Sequence, residues 1–109
     1  MHPYKHLFTP LKVGTHTYKN RVLAAPIYCG TFINIPNLDY VMQHGMRIRA
    51  QGGCAQVTLG ETPVDFCGAS REPFPPIDFT DFNDPTMSKL KPLIADIKAE
   101  GAKCLIELS

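Results

Sequence analysis

The first part of the chain alternates polar and apolar residues before it turns apolar. Residues 11–19 alternate around Gly14 and Thr15, and this pattern predicts a β-hairpin. Residues 21–26 (Arg-Val-Leu-Ala-Ala-Pro) form an apolar run that is too short for a helix and ends at a proline. This run predicts a fully buried strand, the first strand of the core.

The next segment has the period of a helix. Apolar or small residues occur with the spacing of one helical face at Leu38, Val41, Met42, Gly45 and Met46. Asn37 is the expected N-cap of this helix, and Gly52 and Gly53 are its expected stop. The run 54–59 (Cys-Ala-Gln-Val-Thr-Leu) then predicts a second strand, which we expect to end at Gly60.

A proline-rich stretch separates the second strand from a second helix. Residues 61–85 are too many for a neutral connector in a compact domain, so we expect this loop to be functional. Apolar residues of a second helical face follow at Met87, Leu90, Leu93, Ile94 and Ile97. Asp84 is placed to cap this helix, and Gly101 is expected to end it. Pro92 would remove a backbone hydrogen bond unless it lies in the first turn.

The C-terminal run completes a repeating order of elements. Residues 103–109 (Lys-Cys-Leu-Ile-Glu-Leu-Ser) predict a third buried strand that carries one carboxylate, Glu107. The order strand, helix, strand, loop, helix, strand predicts a parallel sheet. A doubly wound sheet would have a glycine-rich phosphate turn after its first strand, and residues 26–30 lack that spacing. We therefore expect an α/β chain, 1–109, that forms strands 1–3 of a TIM (β/α)8 barrel with an N-terminal β-hairpin, the remainder of the barrel being absent.

Composition and charge argue against a nucleic acid partner, a membrane partner and a local metal site. The formal net charge is +1 and the lysines and arginines are scattered, so we expect no nucleic acid partner. No stretch approaches the ~20 apolar residues of a membrane span, which predicts a cytoplasmic protein without a membrane partner. The four cysteines form no C-x-x-C pair, so no local metal site is expected. Cys54 and Cys104 are expected to be buried structural thiols.

Several short segments form a collinear pattern along the chain. They are residues 7–14 (Leu-Phe-Thr-Pro-Leu-Lys-Val-Gly), 19–22 (Lys-Asn-Arg-Val), 25–26 (Ala-Pro), 49–53 (Arg-Ala-Gln-Gly-Gly), 60–62 (Gly-Glu-Thr), 101–103 (Gly-Ala-Lys) and 106–109 (Ile-Glu-Leu-Ser). Taken in this order they resemble the opening of the old yellow enzyme family of NADH:flavin oxidoreductases. The resemblance covers nearly the whole chain.

The resemblance implies that FMN lies across the C-terminal ends of the strands, where chemistry in this fold is found. The residues that match flavin-contacting positions are Ala25, Pro26, Ile27, Tyr28, Gly60, Glu61 and Glu107. Relatives commonly have glutamine at the position of Glu107. An ionised carboxylate accepts hydrogen bonds but donates none, and its charge opposes the negative charge that builds on a flavin during reduction. We hypothesise that Glu107 lowers the flavin's reduction potential; the alternative is a strand glutamate paired with a neighbouring lysine or arginine.

The activity implied by the resemblance is that of an FMN-dependent NAD(P)H:ene oxidoreductase. NAD(P)H would reduce FMN, and hydride would then pass from flavin N5 to a small unsaturated substrate such as an enone or enoate. In the family, the substrate-gripping groups, the proton donor and the phosphate-binding loops lie beyond the third strand, and an iron–sulfur cluster occurs only in longer relatives. We therefore assign no catalytic residue and expect the isolated chain to be inactive.

Two other functions remain open at this point. One is a non-catalytic part-barrel that needs a partner chain, either the remainder of the barrel or further copies in a homo-oligomer. The other is a TIM-barrel enzyme without flavin, such as an aldolase or isomerase. The sequence has no lysine at the C-terminal end of a predicted strand, so it does not favour a Schiff-base enzyme.

Overall fold

A computed structural model of the chain describes residues 3–27, 36–62, 81 and 83–108. The elements are β1 (Leu11–Val13), β2 (His16–Tyr18), β3 (Leu23–Ala24), α1 (Asp39–Gln51), β4 (Gln56–Thr62), α2 (Pro85–Ala99) and β5 (Lys103–Leu108). Within the described residues, neither helix is long and apolar enough to cross a membrane.

The three C-terminal strands form one parallel sheet with the order β3-β4-β5. A helix follows each of the first two strands of this sheet. The strands have the same order in space as along the chain. This is the arrangement of successive strands in a (β/α)8 barrel, and it confirms the predicted parallel sheet. The hairpin is also confirmed: β1 and β2 pair antiparallel around Gly14, whose φ is +58°.

The core lies between one face of this sheet and the two helices. Its buried members are Met46, Ala50, Val57, Leu59, Leu90, Leu93, Ile97 and Ala102. The predicted apolar face of α1 is only partly correct. Met42 and Met46 pack toward the sheet, whereas Leu38 and Val41 are 39% and 56% exposed. The buried residues of α1 are Met46 and Ala50, which are one helical turn apart. Leu38 lies before the first residue of the helix.

The first strand is shorter and less buried than predicted. Only Leu23–Ala24 form β3, and Leu23 is 55% exposed. Because β3 pairs only with β4 in this sheet, it is an edge strand. Ala24 packs against the helix-covered core, but no described residue covers the opposite face at Leu23.

The predicted start of α1 is wrong, and its predicted end is correct. Asn37 is not the N-cap: its φ is +69°, α1 begins after Leu38, and no side chain caps it. An N-cap residue needs a backbone near the β region, which this left-handed conformation excludes. The predicted stop is confirmed, since Gly52 is the C-cap and Gly53 has a φ of +101°.

The predicted N-cap of α2 is confirmed, and the structure defines the position of Pro92, which the sequence left open. Asp84 is the N-cap, and its carboxylate accepts a hydrogen bond from the Thr86 N–H at 2.7 Å. Pro92, by contrast, lies in the helix interior and not in the first turn. Both Pro92 and Ser88, whose carbonyl would receive the missing N–H, are exposed, so water can solvate that carbonyl.

Replacing Pro92 with alanine is expected to stabilise the protein. Alanine restores the hydrogen bond to the Ser88 carbonyl and is favoured over proline by about 3 kcal/mol in a helix interior. Loss of the proline's rigidity in the unfolded chain offsets about 0.4–1 kcal/mol of this. Urea unfolding should show a gain of about 1–3 kcal/mol. Pro85→Ala is the control, since proline is favourable in the first turn and its loss should give no gain; equal gains would contradict the argument.

Lys19 and Asn20 attach the hairpin to the N-terminal end of the parallel sheet. The Lys19 Nζ donates to the Glu100 carbonyl at 2.6 Å, at the C-terminal end of α2. Asn20 is buried; its Nδ2 donates to the Gly53 carbonyl at 2.8 Å, and its Oδ1 accepts from the Val22 N–H at 2.9 Å. These contacts tie the segment before β3 to the loops that follow both helices.

Candidate functional site

The C-terminal part of β4 contains one residue more than the part of β5 that it faces. Residues 59 and 62 of β4 pair with residues 106 and 108 of β5, so three steps on one strand match two on the other. Gly60 and Glu61 therefore lie opposite Glu107 in a β-bulge. The prediction that the second strand ends at Gly60 is wrong, because the bulge lets β4 continue.

Gly60 and Glu107 lie on the sheet face that the helices leave uncovered. Their neighbours Leu59 and Ile106 belong to the helix-covered core or pack against it. Side chains alternate between the two faces of a strand, so the next residue on each strand points away from the helices. In a barrel this second face is the inner one. We call it the inner face below.

Three of the predicted cofactor-binding residues meet at this end of the sheet. A Cβ built on Gly60 would overlap the Pro26 Cβ, and it would lie 2.6 Å from Glu107 Oε2 and 2.9 Å from the Pro26 Cα. Real Cβ atoms do not approach other atoms so closely, so only glycine fits between Pro26 and Glu107. We call Pro26, Gly60 and Glu107 the strand-end cluster.

The other predicted site residues are placed less completely. Ala25 and Ile27 follow β3 and are exposed, Ile27 by 50%. Glu61 lies in the bulge of β4, but its side chain is outside the described part of the structure, and Tyr28 is outside it altogether. The three residues of the cluster are thus brought together, while the cofactor-binding roles of all seven residues stay predictions.

The alternative interpretation of Glu107, a structural ion pair, finds no support. Its side chain is exposed, and in the described parts of the chain no lysine or arginine forms an ion pair with it. Lys103 is on the same face of β5, but four residues away, which is roughly 13 Å along a strand.

Thr62 is a polar residue at the strand ends that the sequence did not single out. It is 1% exposed, and its Oγ1 has no hydrogen-bond partner among the described residues. Thr62 pairs with Leu108, which lies on the same side of β5 as Ile106. Its hydroxyl therefore belongs to the helix-covered side and not to the strand-end cluster. A single threonine in a β-type run carries no sequence signal of this kind.

The described cysteines do not supply a reactive group. Cys54 and Cys104 are free and half-buried, less enclosed than predicted. Burial raises the pKa of the Cys104 thiol above its ordinary value of 9.0, and the positive charge of Lys98 offsets part of this effect. Cys104 is therefore protonated at neutral pH and serves as packing against the core.

The strand ends are suited to binding. Pro26 and Ile27 offer exposed apolar surface, Gly60 allows close approach, and Glu107 offers a hydrogen-bond acceptor. At residues 25–27, 60–62 and 107–108 there is no histidine, lysine or cysteine that could act as a nucleophile or a proton shuttle. Among the described residues, no group of three or more His, Cys, Asp or Glu side chains is arranged to hold a metal ion.

Comparisons with known proteins identify the family. The sequence model of the NADH:flavin oxidoreductase / NADH oxidase family matches residues 6–109. A protein named metal reductase from Desulforamulus reducens is 28% identical over 103 residues, which are 94% of this chain and 14% of that protein.

Solved structures show the same fold. Histamine dehydrogenase from Rhizobium sp. 4-9 has a TM-score of 0.73 and 25% identity, over 97% of this chain and 15% of its own. The old yellow enzyme from Trypanosoma cruzi, at 19% identity, has a TM-score of 0.68 over 96% of this chain and 27% of its own. The chain thus matches the N-terminal part of TIM-barrel structures and spans between about a seventh and about a quarter of the length of these relatives.

Proposed function

The chain belongs to the NADH:flavin oxidoreductase / NADH oxidase family, and from this premise we propose that it forms one wall of the FMN site of an oxidoreductase. The observation that supports this most directly is the strand-end cluster, in which Gly60 of β4 and Glu107 of β5 meet Pro26, which directly follows β3. That end of a barrel is where cofactors and substrates bind.

We propose that residues 1–109 are the N-terminal portion of a single FMN-binding barrel. The sheet has two edges, β3 and β5, that lack a second neighbour among the described strands. A barrel of eight strands pairs both edges and removes them. In this proposal the remainder of the barrel supplies the phosphate-binding loops and the groups that hold the substrate.

The residues present fit a flavin ring. Exposed Pro26 and Ile27 provide an apolar surface for its face, and the missing side chain of Gly60 leaves room for close approach. Glu107 can accept a hydrogen bond from a ring N–H. Ala25, Tyr28 and Glu61 are proposed as further contacts on the basis of the family match.

In this proposal the chain's own residues bind, orient and electrostatically tune the cofactor. When bound, FMN would supply the hydride chemistry, with NAD(P)H as the reductant and an activated alkene as the substrate. Pro26, Gly60 and Glu107 would hold the ring at the strand ends. We propose that the remaining strands carry the proton donor. A cytoplasmic location stays a prediction from composition.

Visible absorption of the purified protein tests the proposal. The protein with its complete barrel should be yellow and should release FMN when it is denatured. Apoprotein titrated with FMN should regain the flavin absorption band, and riboflavin should bind more weakly because it lacks the phosphate. A colourless complete barrel that binds neither ligand would contradict the proposed function.

The unpaired sheet edges favour one second candidate, a part-barrel that needs a partner. Leu23 and Leu105, on the inner face, are 55% and 40% exposed. In this role the isolated chain would bind the remainder of the barrel or further copies of itself. Light scattering of the isolated chain, alone and mixed with the remaining barrel segment, separates the outcomes: a monomer that ignores the added segment would contradict this role.

A further inference from the structure

The carboxylate of Glu107 lies beside Gly60 of the neighbouring strand at the strand ends. Its Oε2 lies beside the vacant Cβ position of Gly60, at 2.6 Å, and that position also adjoins the Cα of Pro26 at 2.9 Å. The bulge in β4 places Gly60 and Glu61 opposite Glu107, so the strand next to it bends at this level. Glycine at position 60 is therefore what allows the carboxylate to lie against the neighbouring strand.

This carboxylate lacks a compensating cation in the described part of the chain. The ion pairs Arg47–Asp96 and Lys89–Asp39 join the two helices, on the other side of the sheet. Lys103 shares the inner face but is roughly 13 Å away along β5. An unpaired anion at a cofactor site opposes any further negative charge that the cofactor acquires.

We propose that Glu107, seated against Gly60, sets the reduction potential of the flavin by disfavouring its reduced state. The proposal rests on the proposed function, since it requires FMN at the strand ends. Reduction of oxidised FMN by two electrons and one proton would leave one negative charge on the pyrimidine part of the ring, which a second proton would neutralise. Glu107 makes that charge less favourable, so the protein binds oxidised FMN more tightly than reduced FMN, relative to a neutral residue at this position.

The test is the midpoint potential of the FMN-loaded complete barrel and of its Glu107→Gln variant. Glutamine keeps the shape of the side chain and removes the charge. The affinity for reduced FMN, relative to oxidised FMN, should rise about tenfold, which is about 30 mV in midpoint potential for a two-electron couple. The dissociation constants of oxidised and of reduced FMN, measured separately, should give the same shift in midpoint potential.

Two further variants make the result specific. Glu107→Asp retains the charge, so its potential should stay closer to that of the unmodified protein than to that of Glu107→Gln. Glu100→Gln removes the same charge from an exposed residue after α2, at the opposite end of the strands, and should leave the potential unchanged. Equal shifts in Glu107→Gln and Glu100→Gln would reduce the effect to net charge and overturn the proposal.

The two proposals fail in different ways. If the complete barrel binds no flavin, the proposed function is wrong. If it binds FMN and Glu107→Gln has an unaltered or lower midpoint potential, the role of Glu107 is wrong and the proposed function stands. The potential is measured without substrate turnover, so loss of activity for other reasons does not affect the result.

Discussion

Gly60→Ala is expected to lower the free energy of unfolding by about 1–3 kcal/mol, the usual effect of adding a methyl group to a filled space. The new Cβ would overlap the Pro26 Cβ and approach the Pro26 Cα and Glu107 Oε2, at 2.9 and 2.6 Å. The carboxylate can rotate away, but the proline ring and its backbone cannot, so the segment after β3 must move away from β4.

The same substitution should weaken FMN binding. Movement of Pro26 and Glu107 alters the proposed contact surface for the ring, and we expect at least a tenfold loss of affinity, or about 1.4 kcal/mol. Fluorescence titration of the apoprotein with FMN measures this loss, and urea unfolding measures the stability.

Gly45→Ala is the matched control for Gly60→Ala. Gly45 lies within α1, and a Cβ there would have no atom within 4 Å apart from the nearby backbone of the helix itself. Alanine in a helix interior is favoured over glycine by roughly 0.5–1 kcal/mol, so this variant should be more stable and bind FMN normally. If the two variants behave alike, Gly60 is not packed as tightly as its neighbours indicate.

Asn20→Ala is expected to cost about 1–3 kcal/mol of stability, because it removes the partner of two partly buried backbone groups. These are the Gly53 carbonyl and the Val22 N–H, which the Asn20 side chain contacts at 2.8 and 2.9 Å. The effect should be measured by urea unfolding. Thr17→Ala, at an exposed position of β2, should change the stability by no more than about 0.5 kcal/mol.

Asn20→Asp separates the two hydrogen bonds of Asn20. An ionised carboxylate still accepts from the Val22 N–H but repels the Gly53 carbonyl, whereas a protonated one can donate to that carbonyl. The folded state therefore raises the pKa of the introduced carboxyl group, and its stabilising contribution is present below the unfolded pKa of about 3.9 and lost as the pH rises. The stability difference from the unmodified protein should shrink as the pH falls toward about 4. A difference that does not depend on pH would show that the contact to Gly53 is unimportant.

The sequence predicted elements better than it predicted their edges. The hairpin, both helices and the parallel order follow from local periodicity, which depends on neighbouring residues. The exposure of Leu23 depends on which strands lie beside it, and the left-handed backbone of Asn37 depends on how the chain enters α1. Neither is encoded in the spacing of apolar residues.

The site was predicted through the family resemblance and not through spacing. Pro26, Gly60 and Glu107 meet at the strand ends, but their contact with flavin stays a prediction, and Gly60 was expected to end its strand. Glycine is needed at position 60 because Pro26 and Glu107 approach it closely, and these residues are far apart in sequence. Thr62 had no sequence signal, because burial of a hydroxyl cannot be deduced from one β-branched residue.

The bulge in β4 also bears on how relatives should be aligned. Pairing with β5 is regular up to residue 59 and again at residue 62, so one residue is absorbed between these points. A homologue lacking that residue would keep both pairings and the direction of every side chain outside the bulge. A one-residue gap at positions 60–61, inside a strand, is therefore a genuine difference in chain length and should be left in place when sequences are compared.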